Sequence, residues 1–262
     1  MIKKEAAYFF GAIRFFTRLP VPAWVGHSAE TLNHSARYFP LVGVIVGAWA
    51  ALVFVLASFV LPNTLAVLLS MVATLLLTGA FHEDGLADAV DGFGGGWAKE
   101  QVLTIMKDSR VGSYGAIAIA LALLIKFNAL MAVMEWPEEW LLAGFVAAHS
   151  VSRFAAVTLI YALDYVREDE TARAKPLAQS LSVSELLIAA LFGLAPLALL
   201  PWQAAVAGLG MAVITTLLAA RYFVKRIGGY TGDCLGATQQ LAEIAVYFGL
   251  VIAIQVLACN SI

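Results

Sequence analysis

Charge is what this sequence lacks. Only 13% of its 262 residues are Asp, Glu, Lys or Arg, whereas a soluble domain carries ~25%. Hydrophobic residues make up 61%, more than a fold of this size can hide, since much of any folded surface must meet water. That balance excludes an ordinary soluble domain and excludes disorder. Cysteine is nearly absent: Cys234 and Cys259 are the two, too few for a disulfide scaffold. There is no basic excess either, because the net charge is −2, so no nucleic-acid partner is expected. No internal repeat of transporter type and no low-complexity stretch is visible. The bulk solvent implied by these absences is a lipid bilayer.

The N-terminal Met1-Ile2-Lys3-Lys4 is basic, but Glu5 and Arg14 interrupt before a long apolar run, and no small-residue cleavage site follows. A cleavable signal is therefore not expected. Ala6–Phe16 is apolar and aromatic yet too short for a ~30 Å hydrocarbon core. It is expected as an interfacial helix, with packing against the bundle as the alternative. Beyond it come seven apolar runs: Phe39–Val60, Thr64–Phe81, Gly115–Met134, Trp140–Leu163, Glu185–Leu200, Gln203–Ala220 and Glu243–Ala258. The fifth, as short as the seventh, carries Pro196. Continuous runs lack the alternation of barrel strands. The expected fold is an all-α polytopic membrane helix bundle of about seven spans, one integral-membrane domain over residues 1–262.

Basic residues sort by connection. Lys3, Lys4, Arg14, Arg18 and Arg37 precede the first span; Lys99, Lys107 and Arg110 follow the second; Arg167, Arg173 and Lys175 follow the fourth; Arg221, Lys225 and Arg226 follow the sixth. Of 16 Lys and Arg, only Lys126 and Arg153 fall inside spans, and the alternate connections have none. The positive-inside rule then puts the N-terminus and the long polar connections in the cytoplasm, and the C-terminus across the inner membrane.

The densest acidic cluster, Phe81-His82-Glu83-Asp84-Gly85-Leu86-Ala87-Asp88-Ala89-Val90-Asp91-Gly92, lies where the second span leaves the membrane. If the helix continues, Asp84, Asp88 and Asp91 stand at i, i+4 and i+7 on one face. Three stacked carboxylates repel unless a cation lies between them, and hard oxygen ligands suit Mg²⁺, with Mn²⁺ as a substitute. Glu83 is a weaker ligand a quarter-turn away, and His82 is expected to be structural. The competing view is a solvated helix end, which the dipole disfavours at a C-terminus. Gly92 with Gly94-Gly95-Gly96 is expected as a flexible loop, either a linker or a phosphate cradle.

Two more polar clusters accompany it. In Lys107-Asp108-Ser109-Arg110, Asp108 is a further candidate ligand, and Lys107 and Arg110 are candidate phosphate holders. The other runs from Gly228 through Asp233 to Ala237, followed by Gln240 and Glu243. Three such patches around one acidic face suit a phosphorylated substrate. Arg153 and His149, one turn apart within a span, and Lys126 mid-span need partners in the bundle interior. For Arg153 these are an acidic-cluster carboxylate or substrate phosphate; Lys126 alternatively snorkels. Cys234 is treated as a small residue, not a nucleophile.

The segments Phe16-Thr17-Arg18-Leu19-Pro20-Val21-Pro22, Tyr38-Phe39-Pro40-Leu41-Val42-Gly43, Gly79 to Asp88, Lys107-Asp108-Ser109-Arg110 and Gly232-Asp233-Cys234-Leu235-Gly236-Ala237 together resemble the cobalamin synthase, or adenosylcobinamide-GDP ribazoletransferase, family. They spread over essentially the whole chain. The resemblance implies a Mg²⁺-dependent membrane transferase using one or two ions. Its substrates would be adenosylcobinamide-GDP and α-ribazole or its 5′-phosphate, with GMP as product and a homo-oligomer compatible. It further implies catalysis by Asp84, Asp88, Asp91 and Asp108, and substrate contacts from Arg18, Lys107, Arg110, Arg153 and Asp233. Metal ligands would come from Glu83, Asp84, Asp88 and Asp91. The family is distantly similar to CDP-alcohol phosphotransferases, whose metal motif opens Asp-x-x-Asp-Gly. Asp88-Ala89-Val90-Asp91-Gly92 matches that opening, while the Ala-Arg pair that follows it there is absent. A lipid-making phosphotransferase and a cation-coupled transporter are the alternatives, the latter disfavoured by the absence of paired broken helices.

Overall fold

Leucine, alanine and valine runs without internal charge become helices, because backbone groups in hydrocarbon must bond within their own segment. The computed structural model describes residues 2–26, 29–166 and 181–259. Its helices are α1 (Ile2–Phe16), α2 (Ala29–Ser35), α3 (Phe39–Ser58), α4 (Asn63–Thr78), α5 (Phe81–Gly95), α6 (Lys99–Met106), α7 (Ser113–Val133), α8 (Glu138–Ala162), α9 (Val183–Leu194), α10 (Trp202–Ile227) and α11 (Gly232–Cys259). Among the described residues, β pairing is confined to an isolated bridge between Tyr165 and Tyr230. The chain is an all-α polytopic membrane bundle. Arg167, Arg173 and Lys175, counted above for orientation, lie outside the described residues.

The expected seven spans resolve unevenly. Five helical segments, Thr31–Ser58, Ser113–Val133, Glu138–Ala162, Trp202–Ile227 and Gly232–Leu257, are long and apolar enough to cross a membrane. The second run is α4, 16 residues long, and it meets α5 at an 86° bend. The fifth run is a shorter apolar helix extended by a 3₁₀ turn over Ala195–Leu199. The seventh starts earlier than its hydropathy suggests: α11 opens at Gly232, so Glu243 sits well inside it.

The α4–α5 bend has a local cause. Gly79 and Ala80 both adopt left-handed backbone, φ 69° and 57°, and Ala80 N–H closes onto the Leu75 carbonyl at 3.0 Å. Glycine takes that conformation freely, whereas alanine there is strained. The acidic segment therefore starts a new helix, with Glu83 and Asp84 in its first turn. This corrects the expectation of a C-terminal helix end: at an N-terminus the dipole favours carboxylates. The glycines after Asp91 are not a loop either, since α5 runs through Gly95 and α6 packs Met106 against Gly92.

Two apolar clusters stack along the bundle. One joins α1, α3, α5, α6 and α8 through Phe16, Phe39, Leu86, Val102 and Ile160. The other lies at the opposite end, around Phe54, Met71, Trp136, Leu197 and Tyr247. The helix α1 buries Ala12, Ile13 and Phe16 against the bundle and exposes Lys3 and Lys4. The Tyr165–Tyr230 bridge and the ring contacts of Phe16 with Phe39 and His82 gather the starts of α3, α5 and α11 and the end of α8 at one end. The site is at that end.

Candidate functional site

The site depends on how closely α5 and α11 cross. A Cβ on Gly85 would stand 3.2 Å from the Gly236 Cα, and one on Gly236 would stand 3.1 Å from the Gly85 Cα. Only glycine at both positions lets the backbones meet this closely. The crossing brings Asp84 and Asp233, about 150 positions apart in the chain, to one cavity of about 310 Å³. Its rim is acidic and open, with Asp84 exposed and Asp233 half-buried. Its interior carries His82 and Arg153, both buried, with Arg153 only 2% exposed. The wall is aromatic: Phe15, Phe16, Phe39, Phe81 and Tyr165. The His82 ring lies parallel to Phe16 at 5.1 Å, so this imidazole is part of the wall as well as a polar group.

The three aspartates of the expected metal face have different surroundings. Asp91 is buried, and its two oxygens accept the backbone N–H groups of Gly112 at 2.7 Å and Gly115 at 2.9 Å. Both donors belong to the start of α7, whose first N–H groups have no partner within the helix. Asp91 thus ties α5 to α7. Asp88 is half-buried and its carboxyl is pushed up to about 6, by desolvation first and then by the charges of Asp84 and Asp91. Among the described residues no three His, Cys, Asp or Glu side chains gather closely enough to hold a metal ion by themselves. Asp84 and Asp88 are the pair with open carboxylates.

Glu83 departs from that face. It is buried and accepts a bond from Gln240 Nε2 at 2.9 Å, while its Oε2 has no hydrogen-bond partner among the described residues. From there a polar chain runs into the bundle. Gln240 Nε2 also reaches Gln239 Oε1 at 2.8 Å, and Gln239 donates to Glu243 Oε2 at 2.8 Å and to Ser152 Oγ at 3.0 Å. Glu243 pairs with Lys126 and lies 3.1 Å from His149 Nδ1. Arg153 donates from Nη1 to the His149 carbonyl at 3.0 Å. Lys126 therefore has a buried counter-charge and does not snorkel. Arg153 makes no direct ion pair among the described residues, and its Nε has no hydrogen-bond partner there.

The remaining candidates stay outside the cavity. Asp108 and Arg110 form an exposed local pair at 2.5 Å, which holds the Asp108 carboxyl down to about 2. Lys107 precedes them, also exposed. This connection is nevertheless tethered beside the acidic face by the Asp91–Gly112 bond. Arg18 is exposed, its guanidinium over Gly79 and its backbone N–H bonded to the Leu77 carbonyl at 2.8 Å, so it braces the bend. Cys234 is buried beside Thr231, consistent with a packing role. Composition left His82, Phe39, Tyr165 and Glu243 out of the site or at its margin. Glu243 carried one usable signal, an acid four residues after Gln239 and just before an uninterrupted apolar run.

Comparison with known proteins bears on this geometry. The family model described as cobalamin-5-phosphate synthase matches residues 8–251. An adenosylcobinamide-GDP ribazoletransferase of Shewanella frigidimarina is 46% identical over 247 residues, 93% of this chain and 94% of the relative. Those of Shewanella amazonensis and Shewanella oneidensis are 48% identical over 251 residues and 47% over 249, each covering 95% of this chain and 96% and 95% of the relatives. No solved structure matches the chain.

Proposed function

The chain belongs to the cobalamin-5-phosphate synthase family, and from that premise we propose that it is the enzyme that transfers the phosphocobinamide moiety of adenosylcobinamide-GDP to α-ribazole or α-ribazole 5′-phosphate. The single observation that carries this is likeness to the ribazoletransferases over nearly the full length of both chains. The cavity supports it by pairing an acidic rim with a buried arginine and an aromatic wall.

In the transfer a ribazole hydroxyl oxygen bonds to the phosphorus that bears cobinamide, and the anhydride bond to GMP breaks. The hydroxyl proton goes to the rim carboxylate of Asp233. Asp84 and Asp88 fit Mg²⁺, or Mn²⁺ in its place, because such an ion commonly takes one or two protein carboxylates and completes its shell with water and substrate phosphate. Burial first, and then the charges of Asp84 and Asp91, raise the Asp88 carboxyl, and a bound cation would offset both. When bound, the ion neutralises charge developing on the transferring phosphoryl group. Asp91 sets the distance between α5 and α7, and Lys107 and Arg110 on the tethered connection attract the diphosphate. Asp233 and Arg153 contact the substrate within the cavity, and Arg18 keeps the α4–α5 bend in place.

The site end carries the basic connections, while Phe59–Pro62, Met134–Pro137 and Leu200–Pro201 have no Lys or Arg. That division supports a cytoplasmic active site and N-terminus in the inner membrane, and a C-terminus on the far side. The decisive experiment is incubation of purified protein with adenosylcobinamide-GDP, α-ribazole and Mg²⁺. GMP and a completed corrinoid are expected. Hydrolysis without joining, or no GMP at all with either acceptor, overturns the reading.

A further inference from the structure

Resting on that reading, we propose that the cavity is the subsite for the nucleoside acceptor, and that Arg153 at its floor takes the 5′-phosphate of α-ribazole 5′-phosphate. Glu243, His149 and Lys126 are then positioning residues for that guanidinium.

Size separates the two substrates first. A cavity of about 310 Å³ is at the small end of ligand sites and suits a mononucleotide. A corrin ring with its amide arms is several times larger and has to lie outside, over the rim. Chemistry then separates the two nucleoside ends. The wall of Phe15, Phe16, Phe39, Phe81 and Tyr165 offers faces for stacking and few polar groups. A benzimidazole base has no exocyclic amino or keto groups to satisfy. Guanine does, and burying them against phenylalanines would leave them unpaired. The wall thus favours the ribazole base over the guanine of the other substrate.

The floor supplies what the wall lacks. Arg153 is 98% buried, and its Nη1 is anchored to the His149 carbonyl at 3.0 Å, while Nε has no hydrogen-bond partner among the described residues. A buried donor left open is costly unless a ligand completes it. An intramembrane arginine is costlier still and marks a functional position. Its support is elaborate for a merely structural residue: His149 Nδ1 lies 3.4 Å from Arg153 Nη1 and 3.1 Å from Glu243 Oε2, and Glu243 is held from α7 by Lys126 and from within α11 by Gln239. Three helices therefore converge on the orientation of one guanidinium. Phosphate is the bidentate anion it fits, and the acceptor's 5′-phosphate is the one that enters a nucleoside-sized cavity.

The test compares kcat/KM for α-ribazole 5′-phosphate and α-ribazole at saturating adenosylcobinamide-GDP. In Arg153→Gln the preference for the phosphorylated acceptor should fall by about tenfold or more, the worth of a charged hydrogen bond. Arg153→Lys should restore part of it, and Glu243→Gln should reproduce the loss as a rise in KM for the phosphorylated acceptor. Should these variants fail to fold, the wild-type enzyme still decides. Inorganic phosphate should compete with α-ribazole 5′-phosphate but not with α-ribazole. Equal losses for both acceptors would overturn the inference. So would a KM rise confined to adenosylcobinamide-GDP, or phosphate competing with that substrate alone, since the diphosphate would then be the ligand of Arg153. The proposed transferase activity would survive either result, because it fails only when wild-type protein releases no GMP.

Discussion

The carboxylate of Asp91 in α5 accepts the backbone N–H of Gly115 at 2.9 Å, while its other oxygen takes Gly112 at 2.7 Å. This aspartate is a clamp between two helices before it is anything else. Asp91→Ala should destabilise the protein by about 1–3 kcal/mol, the cost of leaving buried donors unpaired. Asp91→Asn, which keeps one acceptor oxygen, should lose less. Unfolding in detergent measures both, and added Mg²⁺ should restore neither. Full rescue of Asp91→Asn turnover by Mg²⁺ would make Asp91 a ligand instead.

Asp88 has the opposite signature. Burial and its two acidic neighbours raise its carboxyl from 3.8 to about 6 in the folded protein. The folded state therefore binds that proton more tightly than the unfolded chain does. The resulting stabilisation is complete below pH ~3.8 and is lost as pH rises through about 6. Without divalent ions, the wild-type melting temperature should fall between pH 5 and 7. In Asp88→Asn that fall should largely disappear, leaving the variant the more stable protein at pH 7.5. A flat wild-type profile would remove the proposed repulsion.

Asp84 is exposed on the cavity rim and makes none of the clamp contacts of Asp91. Asp84→Asn should keep the fold and lose turnover by about 10²-fold or more, as expected when a charged group acting on a phosphoryl transfer is removed. Partial recovery at raised Mg²⁺ should accompany the loss. Turnover close to wild type at limiting Mg²⁺ would exclude Asp84 from the reaction.

The Lys126–Glu243 pair is buried on both sides, with side chains 5% and 1% exposed. Removing one partner strands a charge in a low-dielectric interior. Glu243→Gln should destabilise by about 3–5 kcal/mol, and the double variant Lys126→Met, Glu243→Gln should recover most of that. Denaturant titration of the wild type, both single variants and the double variant gives the coupling directly.

Topology is accessible to labelling. Cysteines at Asn63 and Glu138 should react from outside the inner membrane, and cysteines at Lys99 and Lys225 only from the cytoplasm. Outside labelling at Lys99 would reverse the orientation proposed from the basic connections.

Composition and hydropathy were enough for the membrane, the all-helical class and the ends of most apolar helices, because each of these follows from local transfer free energy. Motif spacing also led to the acidic segment and to the family, and an intramembrane charge singled out Arg153, which the fold brings to one cavity with Asp233. Local pattern failed where backbone conformation was the issue. Nothing in Thr78-Gly79-Ala80-Phe81 announces an 86° bend, since alanine rarely adopts φ 57°, so the acidic run passed for the end of a span when it starts a helix.

Pairing across the chain was the other gap. The i, i+4, i+7 rule put Asp84, Asp88 and Asp91 on one helix face but is blind to what that face meets. Gly112 and Gly115 occupy Asp91, Gln240 draws Glu83 into the bundle, and Arg110 takes Asp108 out to solvent. The contact of Gly85 with Gly236 joins Asp84 to Asp233, and the line from Lys126 through Glu243 and His149 supports Arg153. Such relationships join residues up to 157 positions apart, and they exist only once close-packed helices bring buried polar groups to partners that water cannot supply.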